Sequence, residues 1–197
     1  MKPRMAARSS PEGEELLFFR RWIAHPLKVG AVLPSSPALA KLVARQVALE
    51  ADEVVVELGA GTGSVTKALL KAGIPAERLF VVEIDPDLCG FLRRQFPHVH
   101  IIQGDATKLP DLLPAKWVGK VPFVISGIPM VTLPIEVQRK MFAAWFAVMP
   151  PHGRVLQYTY SLVSPVPEKK LGLKGKRRGL AVLNVPPAWV WSYTKAA

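Results

Sequence analysis

Short runs of consecutive apolar residues alternate along the chain with stretches in which apolar positions recur every three or four residues. The first pattern predicts buried strands and the second predicts helices packed by one face. Strands are expected at 53–58, 79–83, 99–103, 121–126 and 153–160. The intervening helices are expected at 63–72, 86–95 and 135–149, with a short one at 109–113. A further helix at about 38–49 precedes the first strand, its start marked by Ser35-Ser36-Pro37, where serine can cap and proline suits the first helical position. The chain closes with a hairpin, 180–185 against 189–193, joined by Pro186-Pro187. Strand–helix alternation implies a parallel sheet covered on both faces, and the final hairpin raises the strand count to seven. The expected fold class is therefore α/β.

Near the N-terminus the helical period returns without a strand beside it. From Glu12 to His25, the residues Leu16, Phe18, Phe19, Trp22 and Ile23 fall within an arc of roughly 160°, while Arg20 and Arg21 lie opposite. Such a helix can lie in a lipid interface or dock on its own core. Pro26 ends it, dividing the chain into a tail and amphipathic helix at 1–28 and a main domain at 29–197. The longest uncharged runs, 121–135 and 180–194, are interrupted by prolines and shorter than the roughly 20 apolar residues of a membrane span.

Composition changes this picture in one respect. The 197-residue chain carries a formal net charge of +11, unevenly spread. Residues 1–28 hold six Lys/Arg against three Glu, and residues 162–197 hold seven against one. The stretch between has thirteen basic against eleven acidic residues. A near-neutral core with basic ends points to a polyanionic partner, either nucleic acid or an anionic membrane. The single cysteine, Cys89, excludes an internal disulfide and fits a reducing compartment; its helical neighbours Leu88 and Phe91 make it a packing residue. No secretory signal is visible in the first residues.

The chemistry is concentrated where strands end. Val54-Val55-Val56-Glu57-Leu58 runs into Gly59-Ala60-Gly61-Thr62-Gly63, a turn that aims free N–H groups at a ligand. No Gly-Lys-Ser/Thr follows, which excludes a phosphate-binding P-loop. The second strand ends in Glu83, 22 positions after Gly61, where an acid can accept hydrogen bonds from both ribose hydroxyls. The third ends in Gln103-Gly104-Asp105-Ala106. The order E-L-G-A-G-T-G, V-V-E-I-D, Q-G-D-A resembles the class I S-adenosylmethionine methyltransferases, with their seven-stranded Rossmann-like sheet and helices on both faces.

That resemblance implies S-adenosylmethionine as cofactor, S-adenosylhomocysteine as product and no metal. Carried over position by position, it assigns cofactor contacts to Glu57, Gly59, Ala60, Gly61, Thr62, Gly63, Glu83, Ile84, Gly104, Asp105 and Ala106, with Asp105 on the adenine amino group. Ser126, Gly127 and Ile128 join them after the fourth strand. Ser35 and Ser36 are candidates for closing over the methionine end, although capping alone explains one of them.

The fourth strand ends in Ser126-Gly127-Ile128-Pro129. Methyltransferases of exocyclic base amines carry Asn/Asp-Pro-Pro-aromatic there, so a base is the poorer substrate. Together with Gly30-Ala31-Val32-Leu33-Pro34-Ser35-Ser36-Pro37 and the basic amphipathic helix, S-G-I-P makes the whole chain similar to the bacterial phospholipid N-methyltransferases of the PmtA type. The resemblance implies methyl transfer to phosphatidylethanolamine and its mono- and dimethylated forms, towards phosphatidylcholine. It implies a cytoplasmic monomer, peripheral at the inner face of the cytoplasmic membrane, with a phospholipid and an anionic surface as partners and no nucleic acid. Phe18, Phe19, Arg20, Arg21 and Trp22 would make the membrane contact.

Catalytic demands are modest, because the methyl donor is already activated. Ser126, Tyr158 and Tyr160 are the catalytic candidates. Strand alternation puts both tyrosines on one face, where they can orient the amine, face the quaternary product, or simply be core. His25 and His152 are conceivable proton acceptors, but neither belongs to a triad or metal spacing. Lys169, Lys170, Lys174, Lys176, Arg177 and Arg178 form an expected basic loop before the hairpin, suited to lipid phosphate or to solvent, with Lys174, Lys176, Arg177 and Arg178 the candidates for the substrate phosphate. An rRNA adenine N-methyltransferase would share the fold and the charge, and a membrane- or RNA-binding module with a vestigial pocket would share the charge alone.

Overall fold

A computed structural model describes residues 36–196. The expected helix at 12–25, with Phe18, Phe19, Arg20, Arg21, Trp22 and His25, lies outside the described residues, as does Ser35. The elements run α1 (Pro37–Ala44), β1 (Val55–Leu58), α2 (Ser64–Lys71), β2 (Leu79–Glu83), α3 (Pro86–Gln95), β3 (His100–Gln103), α4 (Leu109–Leu112) and β4 (Phe123–Ser126). They continue with α5 (Ile135–Ala147), β5 (Arg154–Thr159), α6 (Glu168–Leu171), β6 (Leu173–Ala181) and β7 (Ala188–Lys195). The strands form one sheet in the order β3-β2-β1-β4-β5-β7-β6. The first five are parallel, and β7 is antiparallel to both β5 and β6.

This is the α/β Rossmann-like sheet that the alternation predicts. β1, β2 and β4 are buried along their whole length, which is why they read as unbroken apolar runs rather than as alternating ones. Leu39 and Val43 of α1 and Val65 and Leu69 of α2 pack with Val55, Val81 and Ile125 in the core. The chain steps outward from β1 to β3, then returns to lay β4 on the other side of β1. Strand order therefore reverses between β1 and β4, and the crevice opens beyond their carboxyl ends.

Three expectations are corrected. The first helix stops at Ala44 instead of Leu49. The closing hairpin is longer than expected, with its turn at 182–187. The expected basic loop is also not a loop: α6 and then β6 occupy it, and Lys174, Lys176, Arg177 and Arg178 lie on the outermost strand. Charged residues hide a strand from a pattern search, yet they suit an edge, where they discourage pairing with another chain.

Candidate active site

Each carboxyl end at the crevice is sewn to its neighbour by one backbone bond. Gly59 N–H donates to Val82 O (2.9 Å), Gly127 N–H to Leu58 O (2.9 Å) and Gly104 N–H to Glu83 O (2.9 Å). The glycine turn then enters α2 with Gly63 at φ 80°, a left-handed conformation that other residues rarely adopt. A Cβ at Gly63 would also lie 2.9 Å from Leu92 Cδ2, so helix α3 closes the turn from outside.

Glu83 organises this turn as well as offering a carboxylate to a ligand. Its Oε2 accepts from Gly61 N–H (3.2 Å), and its Oε1 from Ile84 N–H (2.8 Å) and Asp85 N–H (3.2 Å). Burial raises its carboxyl above the usual range, and those three N–H donors oppose the shift. Glu57 is buried more deeply. Its partner is the Thr66 hydroxyl, which donates to Oε2 at 2.7 Å, yet burial still pushes the carboxyl up to about 7. Asp105 receives Thr107 N–H (2.9 Å) and the Thr107 hydroxyl (2.8 Å) on the same oxygen, Oδ1. Next to it the carbonyl of buried Ala106 accepts from Trp145 Nε1 at 3.0 Å, which fixes the turn after β3 against α5.

The loop after β4 is held from below. Ser126 is fully buried, and its Oγ accepts from Ile128 N–H at 3.2 Å. Gln157, opposite Ser126 in the β4–β5 register, donates from Nε2 to Ile128 O (2.9 Å) and Tyr158 O (3.0 Å). Its Oε1 is buried without a hydrogen-bond partner. Gln138 plays the same part for the following turn, donating to Met130 O and Leu133 O. Neither glutamine was singled out from the sequence. Each acts through a long-range register or a helix face, and no local motif marks it.

The sequence candidates separate under this geometry. Glu57, Gly59, Ala60, Gly61, Thr62, Gly63, Glu83, Ile84, Gly104, Asp105, Ala106, Ser126, Gly127 and Ile128 all lie at the carboxyl ends of β1 to β4. Ser36 is the cap of α1, accepting from Leu39 N–H at 3.2 Å, while its own N–H donates to Asn184 Oδ1 at 2.9 Å. Tyr158 is half-buried, its hydroxyl against Gly127. Tyr160 does not share that environment: β5 ends at Thr159, so alternation stops and Tyr160 turns out to solvent.

His152 lies at the opposite edge of the sheet, 3.7 Å from Glu53, and is no proton acceptor for this site. Cys89 is buried, its thiol donating to Glu83 O, and burial pushes it up to about 11. Among the basic candidates, Arg177 sits over Trp189 and Trp191 and donates to Leu162 O, and Arg178 donates to Ser192 Oγ at 2.8 Å. Two of the four cations thus hold the edge strand together, while Lys174 and Lys176 are exposed. Among the described residues, no group of three or more His, Cys, Asp or Glu side chains is placed to hold a metal.

Gly127 is where close approach leaves no room. A Cβ there would meet the Tyr158 hydroxyl and lie 2.6 Å from Gly59 O. Gly127→Ala is expected to cost on the order of 3 kcal/mol, read as a fall in thermal midpoint. Adding Tyr158→Phe should recover only part of it, because the Gly59 carbonyl belongs to the backbone. Full recovery in the double variant would show that the hydroxyl alone sets the limit.

The crevice suits a nucleoside bearing a cationic chain. Glu57 stands one residue before the end of β1, Glu83 ends β2, Asp105 follows β3, and a Cβ built on Gly61 meets nothing within 4 Å, so the turn is open to a ligand. A family model described as a methyltransferase domain matches residues 55–153. The chain is 35% identical over 146 residues to the ornithine lipid N-methyltransferase of Singulisphaera acidiphila, across 73% of this chain and 76% of that protein. It is 39% identical over 77 residues to ribosomal RNA small subunit methyltransferase A of a Synechococcus species, but these cover only 26% of that protein. The fold is similar to that of a TehB-like SAM-dependent methyltransferase from Corynebacterium glutamicum, with TM-score 0.58 and 16% identity over 93% of this chain and 99% of that one. It is also similar to the 1,6-didemethyltoxoflavin-N1-methyltransferase of Burkholderia thailandensis, with TM-score 0.63 and 13% identity over 99% and 94% of the two chains.

Proposed function

Since the chain belongs to the methyltransferase domain family and uses S-adenosylmethionine, we propose that it methylates the amine of a membrane lipid. The substrate in this reading is phosphatidylethanolamine with its mono- and dimethylated forms, or an aminoacyl lipid with an equivalent primary amine. The observation that carries it is the likeness to a lipid N-methyltransferase over about three quarters of both chains. The likeness to rRNA methyltransferases covers between 26% and 40% of their length, and Ser126-Gly127-Ile128-Pro129 lacks the amide and the aromatic that orient a base.

The cofactor supplies an electrophilic methyl group on a sulfonium. Glu83 and Asp105 are the residues to hold its ribose and adenine, and Glu57 and the glycine turn its amino-acid end. The protein's remaining work is positional. Ser126, Gln157 and Gln138 fix the loop after β4, and Tyr158 presents its ring and hydroxyl beside Gly127. An alkyl ammonium of this kind has an ordinary pKa of about 10.4 and must lose its proton before it can attack. Desolvation in the crevice, close to a second cation, favours that loss, so no strong base is needed. Phe18, Phe19 and Trp22, with Arg20 and Arg21, serve as an anchor at an anionic membrane surface. Among the described residues, no helix is long and apolar enough to cross a membrane.

Purified protein with methyl-labelled S-adenosylmethionine should label vesicles containing phosphatidylethanolamine or ornithine lipid, and the preferred vesicle identifies the headgroup. Label in ribosomal RNA alone would replace this reading by the nucleic-acid one.

A further inference from the structure

We propose that the carboxyl rim of the sheet, built by the connections after β4, β5 and β6, is a second membrane-contact surface that beds its apolar tips into the bilayer beside the active-site crevice. The proposal rests on the lipid-amine reading and adds to it the surface through which the lipid is met.

β5 runs towards the crevice edge, β7 runs back and β6 runs towards it again, so the loop at 160–166 and the hairpin turn at 182–187 both emerge there. The turn at Met130–Thr132, after β4, emerges at the same edge. Leu183 is 79% exposed, Leu162 77% and Val185 76%, and Val163, Val182 and Val131 are exposed beside them. Every large apolar side chain exposed among the described residues, Val118 excepted, lies in these connections or at the strand ends that carry them. The opposite edge of the sheet is polar instead: Lys120 pairs with Asp52 and His152 with Glu53. Water-exposed apolar tips gathered on one edge mark an interaction site.

Charge and aromatic chemistry identify the partner. From residue 160 onward the chain has seven Lys/Arg and a single acid, Glu168. Glu168 is already engaged by Gly175 N–H at 3.0 Å. Arg177 is stacked over Trp189 and Trp191, 4.8 Å and 5.2 Å from their rings, and its donation to Leu162 O ties the apolar loop to the cationic strand. Asn184, in the hairpin turn, accepts from Ser36 N–H and donates to Pro186 O at 2.7 Å, so that turn is braced. Apolar tips beside exposed Arg177, with half-buried Trp189 beneath it, match a lipid interface, where the tips enter the acyl boundary and the cation stays level with the phosphates. A second copy of this chain would set its own Arg177 against this one.

The test uses the full-length protein and vesicles of phosphatidylethanolamine with phosphatidylglycerol. Leu162→Glu with Leu183→Glu is expected to weaken co-sedimentation on the order of ten-fold or more, at low and at high salt alike, because apolar burial is lost and a charge is added. Both positions face water, so thermal midpoint and S-adenosylhomocysteine binding should stay at wild-type values. Independently, Leu183→Cys carrying an environment-sensitive fluorophore should blue-shift on adding vesicles; Cys89 is buried and leaves the label site-specific. Unchanged sedimentation of the double variant, or a label that remains in water, overturns this surface alone, whichever lipid is methylated. Loss of a dimer in light scattering with unchanged vesicle binding reassigns the rim to self-association. A wild-type chain that ignores vesicles altogether overturns this surface together with the lipid reading.

Discussion

Alanine at Glu83 is expected to weaken S-adenosylmethionine binding by about 100- to 10,000-fold, the equivalent of two charge-assisted hydrogen bonds to ribose hydroxyls. The structure adds a second consequence. Glu83 also accepts from the N–H groups of Gly61, Ile84 and Asp85, and removing the carboxylate strands these donors in a partly buried turn. Each stranded donor costs roughly 1–3 kcal/mol, so the thermal midpoint should fall as well. Glu83→Gln separates the two effects, since its one carbonyl oxygen can keep part of the turn together while the charge on the ribose is gone. Calorimetric titration and thermal melts on both variants check this. A folded Glu83→Ala protein with wild-type affinity would remove Glu83 from the cofactor site.

Glutamine at Glu57 should remove one component of the pH dependence expected of the wild type in both stability and cofactor affinity. Burial raises the Glu57 carboxyl from 4.5 to about 7, against the opposing bond from the Thr66 hydroxyl. The folded protein thus keeps a proton that the unfolded chain releases. The contribution of Glu57 to stability is fully present below 4.5, declines as pH rises from 4.5 to about 7, and is lost above. The full decline is roughly 3 kcal/mol. A ligand carrying positive charge favours the carboxylate, so cofactor binding should release this proton and tighten as pH rises through about 7. Glu57→Gln, neutral throughout, should lose the Glu57 part of this decline and of the proton release on binding, leaving the smaller dependence that buried Glu83 contributes. Calorimetry in buffers of different ionisation enthalpy measures the proton. Wild-type affinity that stays constant across the window would detach Glu57 from the cofactor.

Legibility from sequence differed by position for physical reasons. The positions of Glu83 at the end of β2 and Asp105 just after β3 were readable because strand ends are visible wherever an apolar run stops. The edge strand β6 was read as a basic loop because its residues face water, and no apolar period reports a strand stabilised only by pairing with β7. Tyr158 and Tyr160 were grouped by alternation, which fails one residue past the end of β5. Gln157 and Gln138 escaped notice because hydrogen bonds to carbonyls 29 and 5–8 residues away leave no local mark.

The sequence by itself determined the α/β alternation, the glycine turn with its following acids, the absence of a P-loop and the basic ends of the chain. All of these depend on local propensity, periodicity or charge, which are carried within a few neighbouring residues. Tertiary structure alone decided that strand order reverses between β1 and β4, so that Gly59 and Gly127 approach too closely to accept a side chain. It decided that burial outweighs the Thr66 bond at Glu57, because desolvation depends on everything packed around a carboxyl. It also gathered the apolar tips after β4, β5 and β6 on the edge that carries the crevice, since register and strand direction bring together residues that stand far apart along the chain.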